Sequence, residues 1–273
     1  MENWEATCKN NGISPEDPRL WDWSAAIPGE DSYPPLPPWV PDPACFCEDE
    51  EGRVQFATDG GTSYPTVRRL RHSGIGIFGG GNSSWRYSSV LRGPIQQNDK
   101  AELVALVLFA EAVLQQIHLF PNGVEVFIDN EAVCDMAILV TAGQPFRPSA
   151  AHAYWWKRLR AVVVSLLPRK GVIKCTWVPS HLGQQDVVAG RITQTQLHLN
   201  SGADALATTA RDANSPPVAV CVDLKRRTEL VRVLQHMLIA IHIARKEKET
   251  SLISSRLKTQ SVLPAADKVV PLD

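Results

Sequence analysis

The sequence has no CxxC pair, no leader-like N-terminus and no apolar run of membrane-spanning length. Its six cysteines, at 8, 45, 47, 134, 175 and 221, follow no regular framework, so disulfides are not what organises the fold. The "CFC" at 45–47 is half of a metal site at most. No second half stands at a zinc-type spacing, and the thiols read as reduced. "MENWEATCKN" lacks the basic and apolar segments of a secretory leader. The most apolar stretch, "VLQHMLIAIHIA", is interrupted by Gln and His and is too short to cross a bilayer. The expectation is a soluble intracellular protein with no membrane association, nucleus against cytoplasm left open, in which the "NSS" at 82 is a chance sequon.

Net charge is nearly absent, at a formal −1 from 28 basic and 29 acidic side chains, but the two signs are unevenly placed. Residues 1–52 hold 12 acidic and 2 basic side chains, four of the eight Trp and the proline run "SYPPLPPWVPDP", with no sustained hydrophobic period. That composition suits a linker or a partner-binding arm. Residues 53–211 carry 16 Lys plus Arg against 10 Asp plus Glu, and residues 212–273 carry 10 against 7. A basic body with acidic residues inside it is compatible with a polyanionic partner such as nucleic acid. Three regions follow: an arm at 1–52, a domain at 53–211 and a basic amphipathic helical tail at 212–273.

Within the domain, "RVQFAT" alternates as a strand and ends at Asp59. "SGIGIFGG" and "WRYSSVLRG" flank the hairpin signal "GGGNSS", giving a three-strand antiparallel meander. "NDKAELVALVLFAEAVLQQIHLF" changes to helical period, with Leu103, Leu106, Val107, Ala110, Val113 and Leu114 on one broad face, Asn98 or Asp99 as cap and Glu102 in the first turn. "GVEVFIDN" reads as a strand buried on both faces that ends at Asp129. Two helices follow, then the strand "GVIKCTWVPSH" running to His181, a polar loop, and a closing helix "NSGADALATTARD" that carries Asp204 in its first turn. The order βββαβααβα implies a mixed sheet with helices on both faces.

Strand ends thus deliver Asp59, Asp129 and His181, and helix starts deliver Glu102 and Asp204, to the side of the sheet where α/β proteins bind ligands. Singly, each has an ordinary reading: Asp59 as a turn residue, Asp129 and Asp204 as helix caps, Glu102 as half of a capping pair, His181 as a surface loop residue. Together, four carboxylates in one place repel one another unless protonated or bound to cations. Oxygen ligands without cysteine favour Mg²⁺, with Mn²⁺ as substitute, over zinc. Two such ions about 4 Å apart are a known device for in-line displacement at phosphorus.

By "TDGG", "NDKAEL", "FIDNEAV", "WVPSHLG" and "NSGADALA", in that order, residues 53–211 resemble a type 1 ribonuclease H. The resemblance implies a ribonuclease H-like α/β fold, a five-stranded mixed sheet with helices on both faces. It implies that Asp59, Glu102, Asp129 and Asp204 hold two Mg²⁺ ions, with Asp59 shared between them, and that His181 assists proton handling and product release. Asn200 matches the family's supporting asparagine, and Asn98 a residue that contacts substrate sugar hydroxyls, where the RNA 2′-OH is read. The implied activity is hydrolysis of the RNA strand of RNA/DNA hybrids. An acidic arm before such a unit resembles the connector of retroelement polyproteins, which makes a reverse transcriptase domain a candidate partner through the arm or the tail.

The sequence departs from the family pattern in three places. Asn130 and Glu131 stand where many members carry a small polar residue and then Gln. The loop between His181 and Asp204 is long and contains His198 as a lesser candidate for the histidine role. The lysine-rich handle helix is missing, leaving Arg147, Lys157, Arg158 and Arg160 beside Trp155 and Trp156, a pair expected in the core rather than stacking on bases. In the tail, Leu230, Val233, Leu234, Met237, Leu238 and Ile241 form an apolar face that would dock on the domain, the ordinary reading, pair with a partner, or leave the basic face to touch nucleic-acid phosphates. A rival within the fold is a nuclease acting on a DNA substrate, and the rival of another class is a catalytically silent nucleic-acid-binding or scaffold domain.

Overall fold

Alternating apolar residues after Arg53 build the expected meander: β1 Val54–Ser63, β2 His72–Phe78 and β3 Arg86–Val90. The computed structural model describes residues 33–44, 47–64, 70–93, 95–144, 152–166 and 172–260. Cys8, Cys45 and Arg147 lie outside them. β4 Val124–Ile128 and β5 Ile173–Trp177 complete a five-stranded sheet of order β3-β2-β1-β4-β5. β1 pairs with β2, and β2 with β3, antiparallel; β1 pairs with β4, and β4 with β5, parallel.

Successive strand residues point to opposite faces, and the two faces carry different cores. Phe56, Ile75, Val126 and Ile128 pack with α1 Asn98–Gln115, α2 Glu131–Thr141 and α3 Ala153–Leu166. On the other face Ala57, Phe78 and Phe127 pack with α5 Gln194–Ala213, below the short helix α4 Gln184–Val188. This is the mixed sheet with helices on both faces that the sequence implies.

Four expectations are corrected. Asp59 does not end its strand: β1 continues to Ser63, with Asp59 opposite Gly76 of β2. α1 has Gln97 as its N-cap, with no side-chain cap bond, because the first helical bond runs from Ala101 N–H to the Gln97 carbonyl at 3.0 Å. α1 is also buried almost all round from Lys100 to Phe109, not on one face only, since it lies between the sheet and α3. The closing helix starts at Gln194, where Thr193 and Gln196 form a reciprocal capping box, so Asp204 lies in the helix interior and not in its first turn.

The part of the acidic arm that is described packs into the first core. Leu36 and Trp39 are buried. Trp39 meets Phe56 at 4.9 Å and Trp85 at 5.3 Å between ring centroids. The Trp85 indole donates to the Pro37 carbonyl at 2.8 Å, and Tyr33 Oη accepts the Arg92 N–H at 2.8 Å. Packing therefore begins well before the expected boundary at 53, because an aromatic cluster at the end of the sheet uses Trp39 as one wall.

A second compact unit, from Pro217, contains α6 Val218–Gln260, a helix of 43 residues. Leu230, Val233, Leu234, Met237, Leu238 and Ile241 on it are exposed. No helix among the described residues is long and apolar enough to cross a membrane.

Candidate metal-binding active site

The parallel pairing of β1 with β4 stops at Thr58 opposite Ile128. β4 ends there, while β1 runs on beside β2. Asp59 and Asp129 therefore emerge at the same level on neighbouring strands, where the sheet loses one partner. The Trp177 indole N–H, at the end of β5, donates to the Asp129 backbone carbonyl at 3.1 Å. Asn130 Oδ1 accepts the Val133 N–H at 3.2 Å and caps α2, so Asn130 acts locally as a cap and Glu131 is exposed.

Glu102 reaches these two because α1 lies directly on β1 at Gly60. A Cβ on Gly60 would stand 2.4 Å from the Glu102 backbone nitrogen, closer than any side chain permits. Asp59, Glu102 and Asp129 each place one carboxylate oxygen within 4.8 Å of the others. Asp59 is 4% exposed and Glu102 1%.

Burial and mutual repulsion shift all three. Burial first, then the Asp129 charge, pushes the Asp59 carboxyl up to about 7. Burial, then Asp59 and Asp129, holds Glu102 well above the usual carboxylate range. Asp129 is raised by burial, which outweighs a hydrogen bond to Glu102, and further by Asp204, with His181 opposing. Both Glu102 side-chain oxygens are buried, facing Asp59 and Asp129. Buried polar atoms in native proteins are normally satisfied, and here the groups facing them are themselves carboxylates. Such an all-oxygen cluster suits a hard divalent cation.

Asp204, His181 and Asn200 line one cleft together with Asp129, Val178 and Leu182. α5 reaches this position by packing tightly on β2, where a Cβ on Gly76 would stand 2.2 Å from the Ala203 carbonyl oxygen. Asp204 is exposed and stands outside the close trio. Asn200 Oδ1 is buried without a partner. His181 has a backbone φ of 60°, a left-handed conformation uncommon for a residue other than glycine. Asn98 is exposed at the first residue of α1 and is not part of the cleft lining. His198 packs edge-on against Phe78, 5.5 Å between centroids, and is not in the cleft either.

Where the handle helix is missing, Lys157 and Arg160 are exposed, whereas their neighbours pack. Trp155 and Trp156 are buried, as expected. Arg158 grips Glu111 with two bonds at 2.5 and 2.9 Å and stacks over Trp155 at 5.1 Å. Two residues near the site escape a sequence reading, Trp177 and Asp186. The first is 43% exposed at the strand end, in a position that reads equally as core. The second carries only a weak signal, a glycine, which is tolerated as an N-cap, with an acid in the first turn of the helix.

Solved structures to which the chain is similar include ribonuclease H domains and a protease-reverse transcriptase. The prototype foamy virus ribonuclease H domain matches 58% of this chain and 94% of its own at 19% identity and a TM-score of 0.42. The foamy virus protease-reverse transcriptase matches 57% of this chain and 20% of its own at 22% identity and a TM-score of 0.40. A ribonuclease H1 isolated from compost by a metagenomic approach, in complex with RNA/DNA hybrid, matches 58% and 96% at 18% identity and a TM-score of 0.36. No protein-family model and no curated protein matches the chain.

Proposed function

We propose that the chain is a divalent-metal-dependent endonuclease that hydrolyses the RNA strand of RNA/DNA hybrids. The observation that carries this reading is the trio of Asp59, Glu102 and Asp129, oxygens within 4.8 Å, with both Glu102 oxygens buried and facing the Asp59 and Asp129 carboxylates. Unneutralised, that arrangement is unfavourable in a folded interior. Asp59, Glu102, Asp129 and Asp204 would hold Mg²⁺ or Mn²⁺, which supply Lewis-acid stabilisation of charge at phosphorus.

The chain's own groups do the rest. Asp59 is held by pairing to β2 and Asp129 by the Trp177 indole, so neither has to reorganise during the reaction. Asn200 offers its unpartnered amide oxygen to the cleft, where it orders a ligand or water beside Asp204. His181, which lines the same cleft, takes up or delivers a proton there. Asn98, one turn before Glu102, contacts a sugar hydroxyl of the RNA strand. The retroelement setting is part of the same proposal, with a reverse transcriptase domain as partner and hybrids inside the cell as substrate.

Matched RNA/DNA, RNA/RNA and DNA/DNA duplexes, incubated with the full chain in Mg²⁺ or in EDTA, test the reading. The RNA strand of the hybrid is cut in Mg²⁺ only, and Asp59→Asn or Asp129→Asn abolishes cutting without unfolding the chain. Binding of hybrid with no cutting under any condition would favour the silent scaffold instead.

A further inference from the structure

One buried carboxylate closes both ends of the segment that follows His181. Asp186, in α4, is 4% exposed, and a charge at that depth is rare unless paired. Its Oδ2 accepts the Gly183 N–H at 2.7 Å, and its own N–H donates to the Gly183 carbonyl at 2.9 Å. On the far side of α4, Oδ1 meets the Arg191 guanidinium at 2.5 Å, and the Asp186 carbonyl accepts the Arg191 N–H at 2.9 Å. Gly183 is two residues from His181. Ile192, next to Arg191, is buried against Val178 and Leu199 and lines the same cleft as His181.

Helix capping alone does not account for this investment. α4 has five residues, too few for a helix to be stable by itself. What the carboxylate fixes is the path of the chain on either side of α4. The left-handed backbone at His181 points the same way, since such conformations persist only where the surroundings over-determine them.

We propose that Asp186 is a positioning residue for His181: by tying Gly183 to Arg191 it holds the imidazole on the wall of the cleft that contains Asp129 and Asp204. The effect on turnover rests on the hybrid-hydrolase reading, whereas the clamp itself does not. Asp186 touches neither the carboxylate trio nor the cleft, so its removal reaches the chemistry through the chain on either side of α4, at His181 or at Ile192, and the His181→Ala background separates the two.

The test uses the full chain with Asp186→Ala and Asp186→Asn, read by amide hydrogen exchange at Gly183, by His181 ring resonances and by hybrid cleavage. Asp186→Ala speeds Gly183 exchange and shifts the His181 ring signals. Turnover falls about 10- to 100-fold, as displacement of a catalytic group by about 1 Å does, with KM little changed. Asp186→Asn keeps an oxygen for the Gly183 N–H and recovers part of the loss. In a His181→Ala background, Asp186→Ala removes less than about two-fold more, because residues acting as one unit are non-additive. A loss of turnover that persists in full without His181, or unaltered Gly183 exchange in Asp186→Ala, overturns the proposal. If the wild-type chain cuts no duplex, the hydrolase reading fails. Exchange and ring signals then decide the clamp on their own: signals that move support it, and signals that do not overturn it.

Discussion

A carboxyl held at about 7 by burial and by Asp129 stays protonated across a range in which the same Asp in the unfolded chain is ionised. The native state therefore binds the extra proton, and stability must fall as pH rises between about 4 and 7. For Asp59 alone the shift corresponds to roughly 4 kcal/mol, at about 1.4 kcal/mol per unit; Glu102, raised as well, acts in the same direction. Melting temperature in EDTA should drop as pH is taken from 5 to 8, and Asp59→Asn should flatten the profile and melt higher at the upper end. A wild-type profile that rises over that interval contradicts the assignment. At this scale the sequence is informative for Asp59, Glu102 and Asp129, since each sits where an apolar alternation or a helical period begins or ends. Asp186 is not legible in the same way, because its role depends on burial by residues elsewhere in the chain, such as Ile192 and Leu199.

At the scale of elements, the site exists because β1 outlasts β4 and because two glycines let helices lie on the sheet. Local pattern suggests that β1 stops at Asp59, since "DGG" is a turn signal. Its continuation follows from pairing with β2, a long-range interaction that a single strand's sequence does not display. The start of α5 is obscured for a related reason: Thr193 and Gln196 are a legible capping box, but the polar "TQTQ" lacks the apolar period that marks helices. Gly60→Ala should destabilise the chain by about 1–3 kcal/mol, the usual range for overpacking, and weaken divalent-cation binding by moving Glu102. Denaturant unfolding and cation titration check the two effects. An unchanged midpoint would mean that α1 can retreat at no cost. Arg158→Ala should lower stability while leaving the salt dependence of hybrid binding unchanged. Its guanidinium is engaged by Glu111 and Trp155, whereas removing a side chain that neutralises a phosphate would reduce the slope of log affinity against log salt by about 0.9. A slope reduced by that amount would return Arg158 to the nucleic-acid surface.

The whole molecule is larger than the stretch that resembles the family, and the additions are not alike. The segment at 33–44 shares the domain's core, which composition hides because six prolines surround the two anchors, Leu36 and Trp39. Trp39→Ala should cost about 3–5 kcal/mol, as large-to-small aromatic changes in cores do, measured by chemical denaturation; a loss below about 1 kcal/mol would make the segment an accessory. α6 carries its apolar residues exposed, so the face expected to be covered gives no account of itself from sequence periodicity. Across the molecule the central claim is that the buried carboxylates are gathered to hold cations. Calorimetric titration of the full chain with Mg²⁺ or Mn²⁺ near neutral pH, repeated in buffers of different ionisation enthalpy, tests it most directly. Saturable binding is expected that releases about one proton or more per chain, because cation ligands must be deprotonated, and that is lost in Asp59→Asn and in Glu102→Gln. Absence of saturable binding, or binding that both variants leave intact, would contradict it.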